Sequence, residues 1–221
     1  MQLCMESVVE LLSTPDEERE KRLAREDWVL AALQVLLREG IEAVQITALA
    51  QALKVTRGSF YWHFKSRQQL LDAILEEWRV RNTGIMMQVL ENASSVESGM
   101  LDLFSVWVDH SKFNPDLDQA VRDWGRRADD IKVLVEAEDN DRIAAISEFF
   151  ENHGYDEKEA FIRARVTYFT QLSYYALNVS EPMAQRMQYL ETYFQCFTGR
   201  QISPEVAEDY RQRLVAWEQN K

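Results

Sequence analysis

Two short apolar stripes, three residues apart, constrain this chain more than any other feature of its sequence. Ile46, Leu49, Ala50 and Leu53 keep the i, i+3, i+4, i+7 spacing of a helix face, with Thr47 near its start. Lys54-Val55-Thr56 separates them from a second short helix at Arg57–His63. Phe60 and Phe64 lie one turn apart and point together towards Leu49 and Leu53, so the two helices are expected to pack across a tight turn. Gly58, Tyr61, Trp62 and Lys65 fall on the opposite side, with Arg57 on the flank. A helix serving only as core would not need such an aromatic, polar and cationic face.

The same neighbourhood differs in charge from everything around it. Residues 43–71 contain no Asp or Glu, although the whole chain carries a net charge of −12. Lys54, Arg57, Lys65 and Arg67 lie inside this window beside His63, which leaves 21 Lys and Arg against 37 Asp and Glu elsewhere. An acidic protein that keeps cations and no carboxylates in one segment is expected to present that segment to a polyanion. Duplex nucleic acid would repel the rest of the molecule, so the patch also decides which end docks. Cations that displace counterions from phosphates supply the sequence-independent part of such binding.

Outside the window the pattern is helical nearly everywhere. Trp28–Leu37 is apolar almost all round, as in a helix buried on several sides, and Gly40 stops it. Ser66 and Gln69 read as a capping box that starts a long helix towards Glu91. Further helices are expected over about 97–111, 114–128, 130–152, 156–179, 182–197 and 204–219. Asn92–Gly99 is the expected hinge region. Seven glycines and four prolines in 221 residues disfavour a turn-rich β architecture. Thr14-Pro15-Asp16-Glu17 reads as a further helix start, and Met5, Val8, Val9 and Leu12 as an extra helical stripe before it. Two cysteines, Cys4 and Cys196, make no disulfide framework and fit a reducing compartment. Without a basic n-region or a long apolar run, the chain is expected to be soluble and cytoplasmic, with no membrane partner.

Two short helices joined by a three-residue turn have helix-turn-helix geometry, in which the second helix enters the major groove. Arg57 has the fork to reach guanine O6 and N7, and Thr and Ser can donate to phosphates or base edges. Gly58 costs helix stability but lets the backbone approach a neighbouring surface. The stretch ITALAQALKVTRGSFYWHFKSRQQLL resembles the DNA-binding segment of the TetR/AcrR-type bacterial transcriptional regulators. The resemblance covers about residues 26–72, and Thr47, Ala50, Val55, Thr56, Gly58, Phe60, Tyr61, His63, Phe64 and Leu70 stand where that family's pattern wants them. It implies that Thr47, Tyr61, His63 and Lys65 hold phosphates and that Arg57, Gly58, Ser59 and Trp62 face bases. Thr56 and Lys54 complete the DNA-binding set. The family commonly has glycine where this chain has Lys54. Either the turn is altered, or Lys54 adds a phosphate contact that offsets a strain of roughly 1 kcal/mol.

The expected fold is all-α with about nine or ten helices. An extension over 1–24 precedes a helix-turn-helix domain at 25–72, and the resemblance implies that 73–221 is a helical effector-binding and dimerisation domain. In the last, Phe104, Trp107, His110, Trp124, Tyr168, Gln171 and Tyr174 are the candidates for an effector pocket, apolar with a few polar groups. Phe161, Arg165, Phe169 and Leu172, with Met187, Leu190 and Phe194, form two wide stripes that could close a four-helix interface between copies, or be ordinary core. Dimerisation is also expected mechanically, because one short recognition helix reads too few bases. Glu136, Glu138, Asp139 and Asp141 lack calcium-loop spacing and read as a solvated face. No HExxH, CxxC, GxSxG or phosphate-cradling glycine loop is present, so neither catalysis, metal nor cofactor is expected. The reading is a homodimeric regulator, most simply a repressor, that a small molecule releases from a palindromic operator in double-stranded DNA. The rival is a helical ligand-binding or protein-interaction module with weak or lost DNA binding, which only Lys54 favours.

Overall fold

The computed structural model describes residues 23–219, in which twelve α-helices and no strand are found. They are α1 (Arg25–Glu39), α2 (Ile46–Ala52), α3 (Arg57–His63), α4 (Arg67–Trp78), α5 (Ile85–Glu91), α6 (Val96–Val108), α7 (Pro115–Gly125), α8 (Asp129–Asn152), α9 (Glu157–Ala176), α10 (Met183–Gln188), α11 (Leu190–Thr198) and α12 (Pro204–Gln219). The all-α expectation holds. The stripe at Met5–Leu12 and the helix start at Thr14–Glu17 lie outside the described residues. Two expected helices are interrupted. The long one after Ser66 contains a π turn, Arg79–Gly84, and the one over 182–197 breaks at Tyr189 into α10 and α11. The π turn carries two consecutive polar residues, Asn82 and Thr83, into the interior, where both have partners.

The described residues form two compact units, the first reaching Val80 and including Asp116–Val133. Its core is built on α1, whose Trp28 meets Phe60 edge-on at 5.2 Å, with Phe60 stacked on Phe64 at 5.4 Å. Leu49, Leu70, Ile74 and Trp78 are fully buried, so the stripes of α1, α2, α3 and α4 all face the same interior. Gly40, at φ 82°, ends α1 as expected, its N–H donating to the Leu36 carbonyl. Arg67 donates from Nε to the Val44 carbonyl at 2.6 Å and from Nη2 to the Ile41 carbonyl at 3.0 Å, which clamps the short 3₁₀ turn Ile41–Ala43 to α4. Ser66 caps α4 through the Gln69 N–H, but the Gln69 side chain accepts from the Lys65 N–H, not from Ser66, so the capping box is displaced by one residue.

The second unit comprises Arg81–Pro115 and the described residues from Leu134 onwards. Its core joins α5, α6, α8, α9, α11 and α12 through Leu103, Ile146, Phe150, Ala160, Phe194 and Tyr210, among others. Gly99 in α6 is needed for packing, because a Cβ there would fall 2.3 Å from the Phe149 ring. The acidic group of α8 corrects a sequence expectation. Glu136 and Asp141 are exposed, but Glu138 is only 3% exposed and accepts from the Thr83 hydroxyl at 2.8 Å. Asp139 accepts from the Tyr168 hydroxyl at 2.6 Å. The cause is Arg142, 1% exposed, which donates to Thr83 and Tyr168. A buried guanidinium requires such a polar surround.

Candidate nucleic-acid interface

The turn between α2 and α3 is a left-handed helix cap. Lys54 has φ 55°, its N–H donates to the Gln51 carbonyl at 3.1 Å, and the Val55 N–H reaches back to the Ala50 carbonyl at 2.9 Å. These are the two hydrogen bonds of a Schellman motif, with lysine in the position glycine usually takes. The turn thus keeps both cap hydrogen bonds with lysine at the left-handed position. Thr56 then caps α3, its Oγ1 accepting from the Ser59 N–H at 3.4 Å.

With Phe60 and Phe64 buried at 0% and 1%, the rest of α3 is fixed in orientation. Trp62 is 88% exposed and Tyr61 53%. Thr47, Lys54, Thr56, Arg57, Gly58 and Lys65 are also exposed, and His63 is half-buried. Ser59 is a correction. It is buried at 7%, because it shares the inward side of α3 with Phe60, and is not placed to meet a base. Lys54, Arg57 and Lys65 form no ion pair among the described residues, whereas Arg67 is engaged with backbone carbonyls. A Cβ built on Gly58 would meet nothing closer than Thr56 Oγ1 at 3.4 Å, so packing within the protein does not require glycine there. The surface is a protruding indole and phenol flanked by cations, suited to phosphates on its edges and base edges at its centre.

Residues 29–74 match the family model for bacterial regulatory proteins of the tetR family. The likeness to that family lies in this segment, which holds the α2–α3 pair. The class D tetracycline repressor of Escherichia coli is 39% identical over 61 residues, which span 28% of this chain and 28% of that repressor. The repressor KstR2 of Mycolicibacterium smegmatis is 26% identical over 41% of this chain and 44% of its own. This chain thus matches well under two-thirds of the length of these relatives. The ketosteroid regulator KstR2 of Mycobacterium tuberculosis superimposes over 88% of this chain and 93% of its own, with a TM-score of 0.57 at 13% identity, a likeness of fold.

The second unit contains a cavity of about 60 Å³ between α6, α9, α10 and α11. Of the expected pocket residues, Phe104, Trp107, Gln171 and Tyr174 line it. Trp124 does not, because it is buried in the first unit. His110 is exposed in the turn after α6, and Tyr168 turns its hydroxyl to Asp139 and Arg142. Sequence reasoning missed Thr167 and Arg186, which also line the cavity. The signal was present, since Thr167 and Gln171 are a polar pair four residues apart within an apolar stripe.

The expected interface residues divide in the same way. Met187, Leu190 and Phe194 are buried at 3%, 7% and 4% within their own unit and line the cavity. They are core of a single chain, because α6 and α9 already cover their stripe. Leu172 is half-buried against that core. Phe161 and Phe169 are 46% and 40% exposed, and the Arg165 guanidinium lies over both rings at 5.5 and 4.9 Å. With Ile162 and Val166, they leave an apolar strip on the outside of α9.

Proposed function

We propose that this protein is a sequence-specific DNA-binding regulator of transcription, acting as a cytoplasmic homodimeric repressor that a small molecule releases from a palindromic operator. The observation that carries this reading is the face of α3, where Tyr61 and Trp62 project between Lys54, Arg57 and Lys65, which pair with no carboxylate among the described residues. Repressors among the relatives support the sign of regulation. Thr47, Tyr61, Lys65 and half-buried His63 would hold phosphates, with Lys54 and Thr56 beside them. Arg57, Gly58 and Trp62 would face bases. The apolar strip Phe161–Phe169 would meet its copy, and the cavity would take the effector. Binding that favours a state with a different helix separation lowers DNA affinity by population shift.

The test is fluorescence anisotropy on labelled duplexes from the DNA upstream of the protein's own gene. Affinity is expected to fall linearly in log–log plots against salt. Arg57→Ala should weaken the best site by about 1–3 kcal/mol while leaving random-sequence DNA less affected. If no upstream sequence competes better than random DNA, the regulator reading fails.

A further inference from the structure

The cavity of the second unit holds two polar atoms without a partner. Thr167 Oγ1 and Gln171 Nε2 are buried and form no hydrogen bond, although Thr167 is 1% exposed and Gln171 7%. Leaving a buried donor unmade costs about 1–3 kcal/mol, so two in one wall point to a missing acceptor. One helical turn further along α9, Tyr174 supports Arg186, whose guanidinium lies 4.8 Å over that ring and 5.1 Å over Phe104. Arg186 forms no ion pair among the described residues, in a chain with twelve more acidic than basic groups. The lining also includes apolar Met100, Trp107, Leu190 and Phe194.

We propose that this cavity binds a small monocarboxylic acid with an apolar body, its carboxylate held by Arg186 and Gln171 and its body against Trp107 and Phe104. The assignment deepens the effector reading above and rests on it for regulation, but not for binding. A guanidinium between two rings and an amide donor in an apolar wall match a planar anion. A neutral hydrocarbon would leave Thr167 and Gln171 unpaired. Size limits the ligand further. A cavity that binds benzene measures about 150 Å³, more than twice the 60 Å³ present. Even one ring or about six carbons is therefore an upper limit, admitted only by shifts of Met100 and Met187, whose unbranched side chains repack readily. Tyr174 and Tyr193 hydroxyls bond to one another at 2.9 Å beside Arg186, and burial raises Tyr174 above its ordinary value, so the Tyr174 hydroxyl does not compete as an anion.

Isothermal titration of the full chain with benzoate and hexanoate, against benzamide and hexanamide, tests the assignment. At least one acid should bind at least tenfold tighter than its amide. Arg186→Gln should remove that preference, and Arg186→Lys should restore most of it. Gln171→Leu should weaken acid and amide alike. Circular dichroism checks that each variant folds. Amides binding as well as acids, or an acid preference that survives Arg186→Gln, overturns the proposal, as does absence of heat from all four compounds with folded protein. Anisotropy on operator DNA, run in parallel, separates the two readings. An acid that binds without weakening DNA affinity removes the effector role and leaves the site intact.

Discussion

Lys54 sits at φ 55°, a conformation that costs an L-residue with a Cβ roughly 1–2 kcal/mol. The two cap hydrogen bonds around it keep the turn in shape despite that cost. Lys54→Gly should therefore raise unfolding stability by about 0.5–1 kcal/mol in urea titration, after the added freedom of the unfolded chain is subtracted. If Lys54 also contacts a phosphate, the same variant should bind every DNA sequence less tightly and lose about one unit from the salt slope. A stabilised variant with unchanged DNA affinity would show that the lysine is merely tolerated. Gly58 makes the complementary case. Alanine there meets only Thr56 Oγ1 at an ordinary distance, so Gly58→Ala should add about 0.5–1 kcal/mol to stability. Anisotropy should nonetheless show weaker operator binding, because the added methyl stands on the face with Tyr61 and Trp62. Unchanged operator affinity would place the DNA away from α3.

At the level of the helices, the α2–α3 pair was legible in sequence because its apolar positions are few and strictly spaced, so only one packing buries Leu49, Phe60 and Phe64 together. Ser59 escaped that logic, since a small polar residue beside Phe60 reads as equally suited to either side. The break between α10 and α11 was hidden because the apolar pattern continues across Tyr189, where the backbone alone departs from the helix. Glu138 was misplaced because an acidic residue reads as solvated until a buried cation is found beside it, and Arg142 declares its burial only in three dimensions. Gly99 was equally silent, since close approach to Phe149 involves an element fifty residues away in sequence. Gly99→Ala should cost about 1–3 kcal/mol, the range for overpacking a filled core. Thermal unfolding should show it, and the paired variant with Phe149→Leu should recover part of the loss. A Gly99→Ala protein as stable as the parent would mean that α6 and α8 separate without cost.

For the molecule as a whole, alkaline pH and self-association test the second unit. Burial raises the hydroxyls of Tyr155, Tyr174 and Tyr210 above their ordinary value of 10.0. Because the folded form holds these protons more tightly, their contribution is fully present below pH 10 and is lost as pH rises through the folded values. Melting temperature should be flat from pH 8 to 9.5 and fall above 10. Tyr210→Phe should lessen that fall, although it removes the hydrogen bonds to Ser105 and Leu101. Association is the harsher test, since each copy brings twelve negative charges to the other. Only apolar burial can offset that repulsion, and the exposed strip of Phe161, Ile162, Val166 and Phe169 is the place on α9 that offers it. Arg165 stacked over two of those rings adds a cation at the centre of the strip. Sedimentation equilibrium should give twice the 25.9 kDa chain mass at micromolar concentration. Phe161→Glu with Phe169→Glu should return it to the single mass while circular dichroism stays unchanged. The same variant should lose selectivity for a palindromic site more than affinity for random DNA, because one reading helix contacts too few bases. A double variant that still sediments as a dimer would assign the contact to another surface.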